Sequence, residues 1–273
     1  MNDIVRRTYL FVPATRTDRV AKAQAARPDA VILDLEDAVP VSGKTAARDA
    51  ASRDLAGAAG IFVRVNGPDT QWYDDDLALC AAIGAAGVLV PKAENPEHLR
   101  HASQHLPAGV PILPLIETAR GFGNLAALCA MPEVQRVVFG SIDFQVDLGI
   151  TGEDEELLYF RSGLVLASRL AGLQPPVDGV TVEINDAQVI RDDALRAKRL
   201  GFGGKLCIHP KQVAPVNECF RPSAEDIAWA KRIVEAAAAA KGAAVAVDGK
   251  MVDRPVILKA EEILRDSHRL AAS

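Results

Sequence analysis

The sequence predicts an α/β fold, a parallel (β/α)8 TIM barrel followed by a C-terminal helical extension. Eight short apolar runs recur along the chain, rich in Val, Ile and Leu and mostly without alternation, the pattern of strands covered on both faces. Ala- and Leu-rich stretches lie between them and suit crossover helices. Nearly every run ends in polar or charged residues, as expected where the carboxyl ends of parallel strands form a ligand-binding rim. A doubly wound open sheet of the same strands is the alternative.

The runs occupy 9–13, 30–37, 61–66, 87–93, 112–118, 137–143, 180–185 and 204–210, with helical stretches at 44–56, 74–86, 95–106 and 187–200. About sixty residues follow the eighth run, more than one closing helix requires. Residues 223–241 read as a helix, with Ser223 as its N-cap, Asp226 three residues on, an alanine run at 236–240 as filler and Gly242 as its stop. A turn at 249–255 and a last helix at 256–270 complete the chain. We assign 1–222 to the barrel and 223–273 to a C-terminal helical extension of the same functional domain.

A length of 273 residues suits a single barrel, and 49% hydrophobic with 25% charged residues provides a core without global disorder. The net charge of −5 argues against nonspecific nucleic-acid binding. Cys80, Cys129, Cys207 and Cys219 are scattered without CxxC spacing, as in reduced packing residues of a cytosolic protein. No long apolar stretch precedes the first strand and no run approaches the ~20 residues of a membrane span. The expectation is a soluble, cytoplasmic protein without a signal peptide.

Glu117 ends the fifth run and Asp143 the sixth. Two carboxylates converging on one rim repel each other unless a cation lies between them. Carboxylate oxygens suit Mg²⁺, which takes one or two of them and fills its other positions with water and substrate. Salt bridging to neighbouring strands is the other reading of the pair. Arg64, inside an apolar strand, either grips a substrate carboxylate with its planar fork or pairs with Asp34 or Glu36. Strand alternation puts Asp34 and Glu36 on one face and Asp37 on the other. Lys92 reads as a Schiff-base lysine or, preferably, as a cation balancing nearby acids.

His209, in HPKQ at the end of the eighth run, reads as a residue of a loop that approaches a ligand, or as structural. His98, His101 and His105 share a helical face and could hold surface zinc, a weaker reading than a polar helix. Arg16, Arg19 and Lys22 near the first loop are either a solvated helix face or a cradle for the phosphates of a nucleotide-like cofactor. Walker A, GxGxxG after a strand, GxSxG and kinase signatures are missing from the sequence.

RRTYLFVPATR, AVILDLEDAV, FVRVN, LVPKAE, PLIETARG, FGSIDF, GFGGKLCIHPKQV and GKMVDRP, in this order, resemble the CitE-like CoA-ester lyases. That family holds the citrate lyase β subunit and the citramalyl-CoA and malyl-CoA lyases, within the HpcH/HpaI aldolase superfamily. The resemblance implies a TIM barrel, a homotrimer, Mg²⁺ (with Mn²⁺ as the alternative) and coenzyme A as part of the substrate. It implies Glu117 and Asp143 as metal ligands and Arg64 as the group holding the acid end. Phe11, Arg19, Lys22, Ile208 and His209 are implied as substrate and CoA contacts. Asp253 is implied as an acid/base delivered from a neighbouring subunit. The activity implied is cleavage of a 3-hydroxyacyl-CoA to acetyl-CoA and a 2-keto acid, or its reverse. Alternatives are a citrate lyase β subunit acting on a carrier-bound thioester, an aldolase acting on free acids, and a CoA-binding barrel without activity. Ala14, where many relatives have Gly, leaves the fine shape of the CoA pocket open.

Overall fold

The computed structural model describes residues 5–239 and 245–271. They fall into two compact units, Val5–Asn217 and a C-terminal unit beginning at Glu218.

The first unit is a closed parallel barrel of eight strands in sequential order: β1 (Thr8–Pro13), β2 (Ala30–Asp34), β3 (Ile61–Arg64), β4 (Gly87–Val90), β5 (Ile112–Ile116), β6 (Val138–Phe139), β7 (Val177–Asp178) and β8 (Gly204–Cys207). The register steps from Pro13 beside Asp34 to Asp34 beside Arg64, and β8 closes on β1 through Leu206 and Tyr9. Inside the barrel Tyr9, Ile32, Phe62, Leu89, Leu113, Val138 and Leu206 form one core, with the Tyr9 and Phe62 rings edge to face at 5.6 Å. Arg136, fully buried before β6, ties off the amino ends of the strands by donating to the carbonyls of Arg6, Pro175 and Pro176.

The helices of this unit are α1 (Val20–Ala25), α2 (Lys44–Asp54), α3 (Tyr73–Ile83), α4 (Pro96–His105), α5 (Ala119–Gly123), α6 (Leu125–Cys129), α7 (Ser141–Leu148), α8 (Leu158–Leu170), α9 (Ala187–Leu200) and α10 (Pro210–Phe220), the last running past the unit boundary. The helix expected over 187–200 forms over those residues. Asp186 caps it by accepting from the Gln188 and Val189 N–H, and Gly201 ends it at φ 101°.

Three expectations need correction. The seventh strand is Val177–Asp178, not 180–185. Glu183 Oε1 accepts from the backbone N–H of Ile184, Asn185 and Asp186, and this local bonding turns the segment into a loop. The sixth strand ends at Phe139, so Asp143 stands in the first turn of α7. The second strand ends at Asp34, so alternation does not govern Glu36 and Asp37.

In the second unit, α11 (Ala224–Ala239) opens with the expected cap: Ser223 Oγ accepts from the Asp226 N–H while the Asp226 carboxylate accepts from the Ser223 N–H. Its expected end at Lys241 and Gly242 lies outside the described residues. The segment read as a turn is the second half of a hairpin, β9 (Val245–Val247) and β10 (Lys250–Val252). Its two-residue turn has positive φ at both Asp248 (52°) and Gly249 (74°), the backbone that Asp-Gly favours. The last helix is α12 (Arg254–Ala271), and Ala230, Ile233, Val252 and Ala260 form this unit's core. Among the described residues no helix is long and apolar enough to cross a membrane, and the four cysteines are buried.

Candidate active site

Arg64 ends β3 buried among acids. Its Nε donates to Asp34 Oδ1 at 2.8 Å and its Nη2 to Asp34 Oδ2 at 2.6 Å, a two-point match of guanidinium to carboxylate. Its Nη1 lies 3.3 Å from Asp37 Oδ2 and 3.0 Å from Glu36 Oε2, the latter an ion pair without hydrogen-bond alignment. Asp34, Glu36 and Asp37 therefore converge on one cation, where alternation had separated Asp37. The ring of Phe11 lies beneath the guanidinium at 5.0 Å. Burial alone would lower the Arg64 pKa, but the bonds and charges of the three acids outweigh it and hold the group above its ordinary value.

Lys44, buried at the start of α2, donates to the carbonyls of Leu35 and Glu36 at 2.8 and 2.7 Å and fixes the turn that aims these acids. Lys92 adopts a left-handed backbone (φ 47°), an uncommon conformation for a residue with a side chain. That turn lets its N–H donate to Glu117 Oε1 at 2.7 Å while its ammonium donates to Glu36 Oε1 at 2.8 Å. Burial would lower the Lys92 ammonium, but Glu36, Glu117 and Asp37 hold it above its ordinary value. Lys92 is thus the charge-balancing cation of the sequence reading, not an amine ready to form an imine.

Glu117 is buried, and its pKa is pushed up to about 8, first by burial and then by the charges of Glu36 and Asp143. It lies flat against Gly140, where an added Cβ would stand 2.6 Å from the Glu117 Cβ and 2.7 Å from its Oε2. Among the described residues no group of three or more His, Cys, Asp or Glu side chains is arranged to hold a metal. Two carboxylates suffice for a hard cation that keeps water and substrate oxygens. The crowding of negative charge felt by Glu117 is what such a cation relieves, so Glu117 and Asp143 fit Mg²⁺.

These residues surround a cavity of about 340 Å³ lined by Phe11, Arg64, Glu117, Asp143 and Ile208, with Leu115, Phe139 and Val180 as apolar wall. A second cavity of about 750 Å³ holds Arg19, Lys22, His209 and Lys211. Phe11, Pro13 and Ile208 line both, so an acidic chamber adjoins a basic cleft. Arg16 also lines the cleft but is turned onto Asp18, Nε to Oδ1 at 2.8 Å.

Asp253 belongs to the second unit, where it caps α12 by accepting from the Val256 N–H at 3.3 Å. The histidines of α4 form no metal-holding group among the described residues: the His101 and His105 rings lie 4.2 Å apart, but His101 binds Asp74 at 2.7 Å and His105 turns its Nδ1 to the His101 carbonyl. Lys44, Gly140 and Gln212 were not singled out by sequence. Only Gln212 had a signal there, the HPKQ motif.

The profile of the HpcH/HpaI aldolase/citrate lyase family matches residues 7–210. A citrate lyase subunit beta-like protein of Deinococcus radiodurans is 41% identical over 94% of this chain and 96% of its own. A (3S)-malyl-CoA thioesterase of Cereibacter sphaeroides is 35% identical over 97% and 96%. The solved structure of the protein CitE from Mycobacterium tuberculosis in complex with magnesium, acetoacetate and coenzyme A superposes with a TM-score of 0.87 at 34% identity, covering 97% of this chain and 98% of that one.

Proposed function

We propose that this chain, which belongs to the HpcH/HpaI aldolase/citrate lyase family, is a CoA-ester lyase that cleaves a 3-hydroxyacyl-CoA of the citramalyl- or malyl-CoA type to acetyl-CoA and a 2-keto acid, or condenses them. The observation that carries this is that the two cavities lie side by side and share Phe11, Pro13 and Ile208 as lining. A carboxylate-rich chamber with one arginine suits a hydroxy acid, and a basic cleft suits the phosphates of CoA. The magnesium and coenzyme A bound by the M. tuberculosis relative support the same reading.

Glu117 and Asp143 would hold the Mg²⁺, which when bound acidifies an alcohol and stabilises charge on oxygen. Arg64 would take the acid's carboxylate through Nη1, its Nε and Nη2 each already donating to Asp34. The hydroxyl gives its proton to a water, its oxygen becomes the keto oxygen of the 2-keto acid as the C–C bond breaks, and the electron pair of that bond passes to the acetyl carbon as the thioester enolate. Asp253, supplied by a neighbouring subunit of a homotrimer, or a water would then protonate that carbon; in reverse it would remove the proton. The thioester makes this carbanion accessible without an imine, which leaves Lys92 free to hold Glu36 and Glu117.

The test is incubation of the purified protein with Mg²⁺ and citramalyl-, malyl- and 3-hydroxy-3-methylglutaryl-CoA, with EDTA controls and with acetyl-CoA and free CoA read separately. EDTA-sensitive release of acetyl-CoA from one member supports the proposal. Release of free CoA alone would instead indicate hydrolysis, the reaction named for the C. sphaeroides relative. Silence across the panel would move the assignment to a citrate lyase β subunit working on a carrier-bound thioester.

A further inference from the structure

With the CoA-ester lyase reading as its premise, we propose that Gln212 is a positioning residue that clamps the exit loops of β7 and β8 into the wall shared by the two cavities. Gln212 lies in the first turn of α10 and is 1% exposed. Its Oε1 accepts from the backbone N–H of Ile208 at 2.8 Å and of His209 at 3.2 Å. Its Nε2 donates to the carbonyls of Thr181 and Glu183, both at 2.8 Å. Both amide hydrogens and both oxygen lone pairs are thereby used. The opposite amide orientation would set N–H against N–H and oxygen against carbonyl, so the four contacts admit one arrangement.

What the amide joins matters for the site. Ile208 lines both cavities, His209 lines the basic cleft, and Val180, beside Thr181, lines the acidic chamber. The β7 exit loop is also tied at its ends. Buried Lys205 donates to the Gly179 carbonyl at 2.8 Å, and Lys211 donates to Asn185 Oδ1 at 2.9 Å. Gln212 stands between these ties and bonds to the neighbouring loop as well. It does not line either cavity itself; it fixes where the backbone of Ile208 and His209 stands between the acid end and the CoA tail. The HPKQ motif thus reads as two cleft-lining residues followed by the amide that holds them.

Gln212→Met keeps the length of the side chain and removes its hydrogen bonds; Gln212→Glu, run in parallel, keeps the acceptor and loses the donors. Two readouts are taken on the full chain. The first is amide hydrogen exchange. In Gln212→Met the Ile208 and His209 amides should exchange about twofold to tenfold faster, the loss of one net hydrogen bond each, while Leu206 and Cys207 in β8 stay protected. In Gln212→Glu these two amides should stay near wild type. The second compares a CoA ester with the same acyl group on pantetheine, which lacks the phosphates for the basic cleft. KM for the CoA ester should rise about tenfold with kcat nearly unchanged, and the preference for CoA over pantetheine should shrink by a similar factor, the cost of a misplaced binding wall. Gln212→Glu should show the same split in smaller measure.

Unchanged exchange at Ile208 and His209 in Gln212→Met, or an equal loss on both thioesters, would overturn the proposal. A wild-type protein with no preference for CoA over pantetheine would overturn the functional reading instead. The exchange measurement then decides the clamp by itself.

Discussion

Arg64 and Asp34 are joined by two parallel bonds, Nε to Oδ1 at 2.8 Å and Nη2 to Oδ2 at 2.6 Å, between neighbouring strand ends of the barrel. The pairing aims the fork and leaves Nη1 shared between Glu36 and the exposed Asp37. Asp34→Asn removes the two-point partner of Arg64, leaves Glu36 and Asp37 as its counter-charges and loosens its aim. We expect kcat/KM to fall about tenfold to a hundredfold and stability to drop by about 3 kcal/mol, the cost of breaking a buried pair. Steady-state kinetics and chemical denaturation check this; a variant with full activity would show that the aim of Arg64 does not matter.

Gly140 makes room for Glu117. Its φ of −89° is open to any residue, so Gly140→Ala introduces a clash without backbone strain. Glu117 must shift, at a packing cost of about 1–3 kcal/mol. The expected result is loss of about a hundredfold in turnover, as for a catalytic group displaced by about 1 Å, with weaker Mg²⁺ binding by calorimetry. Unchanged Mg²⁺ affinity would separate Glu117 from the metal.

Asp253 caps α12, and asparagine caps a helix about as well as aspartate. Asp253→Asn should therefore fold normally and still bind CoA, yet lose about a hundredfold or more in turnover, the usual worth of a general acid or base. Mixing Asp253→Asn with Glu117→Gln subunits should restore part of the activity if the aspartate acts across a subunit boundary. Full activity of Asp253→Asn alone would remove it from the chemistry.

Asp193 reports on the fold. Burial would raise its pKa, but Lys205, the Thr181 hydroxyl and Arg196 together hold it below its ordinary value of 3.8. A carboxylate lowered on folding stabilises the native state fully above its unfolded pKa, and that stabilisation is lost as pH falls through the folded value. Asp193→Asn should cost about 3 kcal/mol near neutral pH, by leaving buried Lys205 short of a counter-ion. The gap to wild type should narrow below pH about 4. Denaturant midpoints of the two proteins at several pH values test this, and a gap independent of pH would contradict it.

The barrel was legible because strands buried on both faces write continuous apolar runs, and α9 because Asp186 and Gly201 mark its two ends in the sequence. The seventh strand was misplaced because 180–185 is as apolar as a strand, while Glu183 bonds three successive amides there and makes a loop. Asp143 was legible as an acid near the rim but not as a helix residue, because β6 is only two residues long. That Arg64 meets acids was one of two open readings; that all three acids reach it was hidden by a strand that stops at Asp34. Gly140 acts through its fit against Glu117, of which local pattern carries no trace, and for Gln212 the HPKQ motif marked the place but not the β7 exit loop it reaches.

The most direct test of the central claim is the product balance of one reaction: wild-type protein, Mg²⁺ and whichever of citramalyl- and malyl-CoA is turned over faster, with acetyl-CoA and 2-keto acid quantified together. A lyase predicts equal amounts of both, abolished by EDTA and by Glu117→Gln. Free CoA with no keto acid, or turnover that survives both treatments, would contradict it.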